Sequence, residues 1–235
     1  VSDRGFKQPL FYWQNMDGNI VGAQYKYIKD NVCQKRFLKN TDRSNSLWMT
    51  PIEGSKALFV TEDPLDAIAH SQLFPGARYA YLCTGGTSTK AQREMIHSFS
   101  QKFKLPIILG NDNDLAGQLE NFKLAYHTAN IEYAINSKTQ RVLLTVNGAE
   151  REWGKDEIVA ALQAVMKQRP NMILSIPWAK DWNDDLRSSK KSISLRIAEN
   201  MARDNQIRTA GNDRREIALI LLLYCWSFGT GLKML

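Results

Sequence analysis

Cysteine and histidine are scarce, with three of each in 235 residues. Cys33, Cys83 and Cys225 lie far apart, and no CxxC or Cys/His spacing occurs. That argues against a zinc module or a disulfide framework and fits a reducing, cytoplasmic compartment. Glycine and proline, at 14 and 7, are too sparse for a fibrous or low-complexity chain. Long hydrophobic runs are also missing. The longest, Ile217 to Phe228, falls short of the roughly 20 residues that cross a bilayer and is expected as a buried helix. No membrane association follows. The polar N-terminus, Val1 to Gln8, shows no secretory signal, and the lack of an initiator Met suggests a processed chain or a fragment.

What remains is ordinary globular composition, 43% hydrophobic and 23% charged, in a length that suits one to two domains. The 31 Lys and Arg against 24 Asp and Glu leave a net charge of +7. That excess is uneven: residues 1–50 carry +4, residues 51–150 carry −1, and residues 151–235 carry +4. A mildly acidic middle between basic ends suits a metal site that handles a polyanion, though solvated surface charge is equally compatible.

Residues 10–30 read as a strand pair. Leu10-Phe11-Tyr12-Trp13 is apolar and aromatic, Asp17-Gly18 is a turn dipeptide, and Ile20 to Ile28 resumes with strand formers. The polar, basic stretch Lys35 to Ser46 predicts a loop. From Lys56 short apolar runs alternate with amphipathic segments. Strands are expected at Ala57–Val60, Tyr79–Cys83 and Pro106–Leu109, with helices at Pro64–Leu73, Ser88–Phe103 and Leu115–Thr128. This rhythm predicts βαβ units and an α/β fold, a parallel sheet flanked by helices. Further strands are expected at Ile131–Ile135, Val142–Val146 and Met172–Ile176, a hairpin at Asn147-Gly148, and a helix at Lys155–Lys167. Beyond Ser188 the chain turns basic and helical.

Ligands of open parallel sheets gather beyond the carboxyl ends of the strands. Acids stand there: Glu62 after Ala57–Val60, and Asp112 and Asp114 after Pro106–Leu109. Asp66, four residues after Glu62, reaches the same side after one helical turn. Clustered carboxylates repel unless a cation neutralises them. Oxygen donors with alternate spacing suit Mg2+ or Mn2+. A calcium loop is excluded, because Asp112-x-Asp114 lacks the required glycine and terminal glutamate. Each acid taken singly is also compatible with a helix N-cap or first-turn position.

Three stretches, taken in order, resemble the Toprim domain: Val60-Thr61-Glu62-Asp63-Pro64-Leu65-Asp66-Ala67, then Leu82-Cys83-Thr84-Gly85-Gly86-Thr87, then Asp112-Asn113-Asp114-Leu115-Ala116-Gly117. Toprim domains are shared by type IA and type II topoisomerases, bacterial primases and some nucleases, and the match is best in the primase-like branch. Lys180-Asp181-Trp182-Asn183-Asp184 resembles the K-D-x-[ND]-[DE] segment that closes such domains. The resemblance covers about residues 50–187. The stretch Trp13 to Trp48 is similar to the segment that precedes Toprim in primase-like proteins of plasmids and conjugative elements. Two departures stand out: Glu62-Asp63 replaces the Glu-Gly pair common in primases, and Lys138 to Asn171 looks like an insertion.

The resemblance implies roles. Glu62 would be the general acid/base, also touching metal; Asp112 and Asp114 would hold Mg2+ (or Mn2+), with Asp66 in support. Gly85 and Gly86 would let the backbone approach phosphate, although a plain strand-to-helix turn needs them as well. Gly117 would let its helix pack close to the sheet. Lys90 and Lys180 are the further candidate contacts to phosphate or nucleic acid. Arg93 and the set Lys35, Arg36, Lys39 and Arg43 are also placed to meet DNA. Lys190-Lys191 and Arg214-Arg215 read as solvated basic runs. His70, His97 and His127 fall in helices without catalytic partners and read as structural. Cys83 reads as a core residue, and Trp178 and Trp182 as core packing ahead of base stacking.

The organisation expected is a β-rich lead-in over 1–50, a Toprim-like catalytic domain over 51–187 with an insertion at about 138–171, and a helical C-terminal extension over 188–235. The function implied is Mg2+-dependent, primase-like nucleotidyl transfer on single-stranded DNA, in a mobile element. Its partners would be DNA, nucleoside triphosphates, and further domains or replication and transfer proteins. A Toprim nuclease and a non-catalytic DNA-binding accessory protein are the alternatives; the missing zinc module argues against a self-sufficient primase.

Overall fold

Leu10–Gln14 (β1) and Ile20–Lys29 (β2) pair antiparallel around Asp17-Gly18 in the computed structural model, which describes residues 8–30 and 32–189. The chain then departs from expectation. Val32–Phe37 forms a third strand (β3) paired along its length to β2, where Lys35 and the residues after it were expected in a loop. Charged Lys35 and Arg36 hide the strand in the sequence, because an edge strand buries little and tolerates charge. A single 3-10 turn, Arg43–Asn45, is capped by Asp42, and Leu47–Met49 (β4) follows.

The expected alternation then appears as Ala57–Thr61 (β5), Pro64–Leu73 (α1), Tyr79–Cys83 (β6), Lys90–Phe103 (α2), Ile107–Leu109 (β7) and Leu115–Ala125 (α3). Each helix starts at a side-chain cap: Asp63 for α1, Thr89 in a reciprocal box with Gln92 for α2, and Asp114 for α3. Ile131–Asn136 (β8), Arg141–Val146 (β9) and Ala149–Gly154 (β10) form a separate antiparallel meander. Lys155–Gln168 (α4), Met172–Leu174 (β11) and Trp182–Ser188 (α5) complete the described elements. The meander lies between α3 and α4, inside the crossover that joins β7 to its parallel neighbour β11. It opens at Ile131, earlier than the insertion expected from Lys138.

The main sheet has eight strands in the order β11-β7-β5-β6-β4-β1-β2-β3. Its first four are parallel and the rest antiparallel, so the α/β sheet is mixed rather than wholly parallel. β4 bridges β1 to β6, which runs the N-terminal strands into the parallel ones without a break in pairing. One face packs Leu58, Val60 and Leu82 against Ile96 of α2, Leu119 of α3 and Leu162 of α4. The other packs Phe59, Tyr81 and Cys83 against Ala67 and Leu73 of α1 and Trp182 of α5.

His70 is buried in that second layer. Its ring lies 3.8 Å from Phe59 and 4.6 Å from Trp182, and its Nδ1 is 3.0 Å from the Tyr81 hydroxyl. Burial lowers its pKa to about 3, so it stays neutral and serves packing. Trp182 is buried, whereas Trp178 is exposed. Among the described residues no helix is long and apolar enough to cross a membrane. The Ile217–Phe228 run, Lys190-Lys191, Arg214-Arg215, Cys225 and nearly all of the 188–235 extension lie outside the described residues.

Candidate active site

Two strand ends and one closing segment meet at the carboxyl edge of the parallel strands. β5 delivers Glu62 and Asp63, and the first turn of α1 adds Asp66. β7 runs into Gly110-Asn111-Asp112-Asn113-Asp114, which leads directly into α3. The segment before α5 holds this loop in place. The Trp182 Nε1 donates to the Gly110 carbonyl at 2.8 Å, the Asn113 N–H to the Lys180 carbonyl at 2.7 Å, and the Asn113 side-chain amide to the Pro177 carbonyl at 3.1 Å. From α3 the Gln118 amide donates to the Asp112 carbonyl at 2.9 Å.

Gly117 explains why that fit is so close. A Cβ at this position would overlap the backbone of Asp112, its amide nitrogen at 2.7 Å, so only glycine lets α3 start against the loop. Gly117→Ala is expected to cost about 2 kcal/mol by forcing the loop away. A urea melt and a metal titration should both register the change.

Each acid has a distinct environment. Asp66 is buried and accepts from the Asn183 side-chain amide at 2.6 Å. Burial, then the charges of Asp63 and Asp181, push its pKa up to about 7 against the opposing bond from Asn183. Burial pushes Asp112 up to about 8, with Asp66, Glu62, Asp114 and Asp181 adding to the rise. Five carboxylates therefore share one field at this strand edge. Asp114 has a structural task too, since its Oδ1 accepts from the Gly117 N–H at 2.9 Å as the α3 cap. Its Oδ2 stands 4.0 Å from the Lys180 ammonium.

Two lysines from the N-terminal strands balance part of this charge. Lys35 on β3 lies 2.8 Å from Glu62 Oε1 and 3.6 Å from Asp63 Oδ2. Burial works to lower the Lys35 pKa, but Glu62 and Asp63 outweigh it and hold the value above the ordinary range. Lys26 on β2 makes a buried pair with Asp63 Oδ2 at 2.5 Å.

The remaining candidates are placed less tightly. Gly85 has φ +76°, and its N–H donates to the Glu62 carbonyl at 2.8 Å. A Cβ on it would meet the Trp13 ring at 2.6 Å, so packing already requires glycine there. Gly86 faces the Arg43 guanidinium. Lys90 points to solvent, 3.8 Å from Glu94 one turn along α2. Lys35, Lys26, Asp63, Asp181 and Asn183 complete the cluster and were not singled out for it. Asp181 and Asn183 sit in a motif visible in the sequence, and Lys35 sits in the strand mistaken for a loop.

Among the described residues no three His, Cys, Asp or Glu side chains stand as a ready metal-ligand set. Glu62 is turned to Lys35, Asp66 to Asn183, and Asp114 to its own helix. The donor chemistry nevertheless fits a hard divalent cation. All the candidate ligands are carboxylates, and an ammonium group already occupies the Glu62 oxygen as a cation. Mg2+ characteristically takes only one or two carboxylates and completes its shell with water and substrate phosphate.

Residues 59–142 match the family model described as Toprim-like. The matched segment makes up about a third of the chain. It contains Glu62, Asp66, Gly85, Gly86, Asp112 and Asp114, while Lys180 to Asp184 lie beyond the matched residues. No curated protein matches the chain in sequence. Among solved structures the chain is similar to the primase fragment of the bacteriophage T7 primase-helicase protein, at 15% identity and TM-score 0.44 over 83% of this chain and 64% of that one. It is also similar to a bacteriophage T7 structure of lagging-strand DNA polymerase with primase domains bound to an RNA/DNA hybrid and dTTP, at 20% identity and TM-score 0.38 over 53% and 62%. A third likeness is to a DNA primase domain from Pseudomonas aeruginosa, at 13% identity and TM-score 0.37 over 72% and 55%. The chain thus spans less than two thirds of the length of each of these structures.

Proposed function

We propose that the protein is a Toprim-type enzyme of DNA metabolism that uses Mg2+ (or Mn2+) for primase-like nucleotidyl transfer on single-stranded DNA. The observation that carries this reading is the convergence of Glu62, Asp66, Asp112, Asp114 and Asp181 at one strand edge, where partial burial first and then the four neighbouring charges push the half-buried Asp112 up to about 8. Such crowding is unfavourable for the unliganded protein and becomes favourable once a cation is shared.

In this reading Asp112 and Asp114 hold the metal through their free oxygens, with Asp66 in support. The metal would supply charge neutralisation for the phosphates of the incoming nucleotide. Glu62 exchanges a proton with the attacking 3′-hydroxyl as general acid/base, and Lys35, 2.8 Å from its Oε1, orients the carboxylate. Bond formation from that hydroxyl to the α-phosphorus releases pyrophosphate. Lys180, beside Asp114, meets phosphate, and Gly85 and Gly86 shape the backbone of the opposite wall. Lys90 stands farther out, where a polyanion would pass. Phosphoryl transfer needs positioning and electrostatics more than covalent help, and this residue set offers both.

A cytoplasmic setting, a mobile-element origin, and work alongside further domains or replication and transfer proteins belong to the same proposal. Hydrolysis of DNA phosphodiesters is the second reading, because the same acids would serve with water admitted as the nucleophile. Incubation with single-stranded DNA, labelled nucleoside triphosphates and Mg2+ or Mn2+ separates the two. Incorporation lost in Glu62→Gln supports nucleotidyl transfer, and DNA shortening without incorporation supports the nuclease. Binding without either product supports a non-catalytic accessory protein.

A further inference from the structure

The alternation of β3 links the acidic site to a second surface. Lys35 points to Glu62 and Asp63, so Arg36, the next residue, points to the opposite face of the sheet. Strand register extends that outer face. Arg36 stands opposite Tyr25, Tyr25 opposite Leu10, and Tyr27 opposite Gln34, while Tyr12 stands opposite Ala23 on the adjoining pair. Residues directly opposed in antiparallel strands share a face.

The rings on it are ordered. Tyr25 and Tyr27 have centroids 5.7 Å apart with a tilt of 37°, and the Arg36 guanidinium carbon lies 5.8 Å from the Tyr27 ring centre. The Tyr27 hydroxyl donates to Gln34 Oε1 at 2.8 Å, which fixes the ring. Tyr12 is 51% exposed, Tyr25 and Tyr27 are half-buried, and Arg36 is exposed opposite Tyr25. None of the residues of β1, β2 and β3 is acidic, and of their cations Lys29 and Arg36 share the outer face, while Lys26 and Lys35 turn to Glu62 and Asp63 on the other.

We propose that this outer face is a stacking platform for single-stranded nucleic acid, with Tyr12, Tyr25 and Tyr27 receiving bases and Arg36 and Lys29 receiving phosphates. Exposed aromatic faces accept any base, and cations without acids track a polyanion. The one-residue step from Lys35 to Arg36 lets a strand leaving the acidic site continue over the β3 edge onto the rings. The identity of the polymer rests on the proposed function; the platform itself does not need the chemistry to be nucleotidyl transfer.

Fluorescence anisotropy with labelled oligodeoxythymidylates of about 5 and about 20 nucleotides tests this, the longer one reaching past the acidic site. The wild type should bind the longer oligonucleotide more tightly. Tyr12→Ala with Tyr27→Ala should weaken that binding at least about fivefold per ring removed and leave the short one unaffected. Tyr12→Phe with Tyr27→Phe keeps the rings and should restore it, which separates stacking from misfolding. Arg36→Ala should flatten the salt dependence by about one phosphate contact. Glu62→Gln should keep the length-dependent binding whatever happens to turnover, so failure of the chemistry and failure of the platform read out separately. Equal binding of both lengths by the wild type overturns the platform, as does unchanged long-strand binding by the alanine pair. Self-association lost in the alanine pair without any change in DNA affinity also overturns it and marks the face as a protein interface.

Discussion

Asp112→Asn is expected to reduce metal-dependent transfer on the order of 10²-fold or more while making the metal-free protein more stable at alkaline pH. Both effects come from one carboxyl. In the folded protein Asp112 keeps its proton to about pH 8, against an ordinary value of 3.8, because partial burial, and then the charges of Asp66, Glu62, Asp114 and Asp181, disfavour its ionised form. A raised carboxyl pKa contributes stability that is complete below 3.8 and is lost as pH rises through about 8. The wild type should therefore lose stability across that window. Asparagine cannot ionise, so its melting profile should be flatter and should cross above that of the wild type near the upper end. Thermal melts in chelator across the window check the first half, and incorporation assays check the second. A variant that lost activity and stability together at high pH would show that Asp112 is an ordinary structural residue.

Trp182→Ala should cost about 3–5 kcal/mol, a large share of the roughly 5–15 kcal/mol that holds a typical domain together. The side chain is 1% exposed, packs edge-on to His70 and Phe59, and donates from its indole to the Gly110 carbonyl. Its removal opens a cavity and strips a donor from the residue that begins the Asp112 loop. Trp182→Phe should retain most of the packing and lose the hydrogen bond, a change of about 1–3 kcal/mol. Urea denaturation resolves the series. Equal, small losses for both variants would mean that α5 does not anchor the loop.

The parallel strands and their acids were legible because their signals are local. Ala57–Thr61, Tyr79–Cys83 and Ile107–Leu109 are short buried runs, and Pro64 stands in the first turn of the helix that follows the first of them. β3 was not legible, since Val32–Phe37 buries nothing fully and carries two adjacent cations. With that strand went the role of Lys35, which follows from a pairing between β2 and β3 rather than from any motif. Asn183 meets Asp66 across 117 residues of sequence, a contact that spacing alone does not reveal. The strands of the meander were visible, but alternation reports which face is buried and says nothing of which sheet a strand joins. The carboxylates were expected at a metal site, with a helix N-cap or first-turn place open to each taken singly. Asp114 also caps α3, and Glu62 is paired to a lysine.

Crowded acids at the strand ends should form a divalent-cation site. Calorimetric titration of Mn2+ into the metal-free protein near pH 7, repeated in buffers of different ionisation enthalpy, tests it directly. Asp112 and Asp66 hold protons at that pH more than ordinary carboxyls do, with values of about 8 and about 7. Binding should therefore release protons, and both the heat and the proton release should vanish in Asp112→Asn. Binding that persists unchanged in Asp112→Asn, or no binding by the wild type at all, would contradict the account.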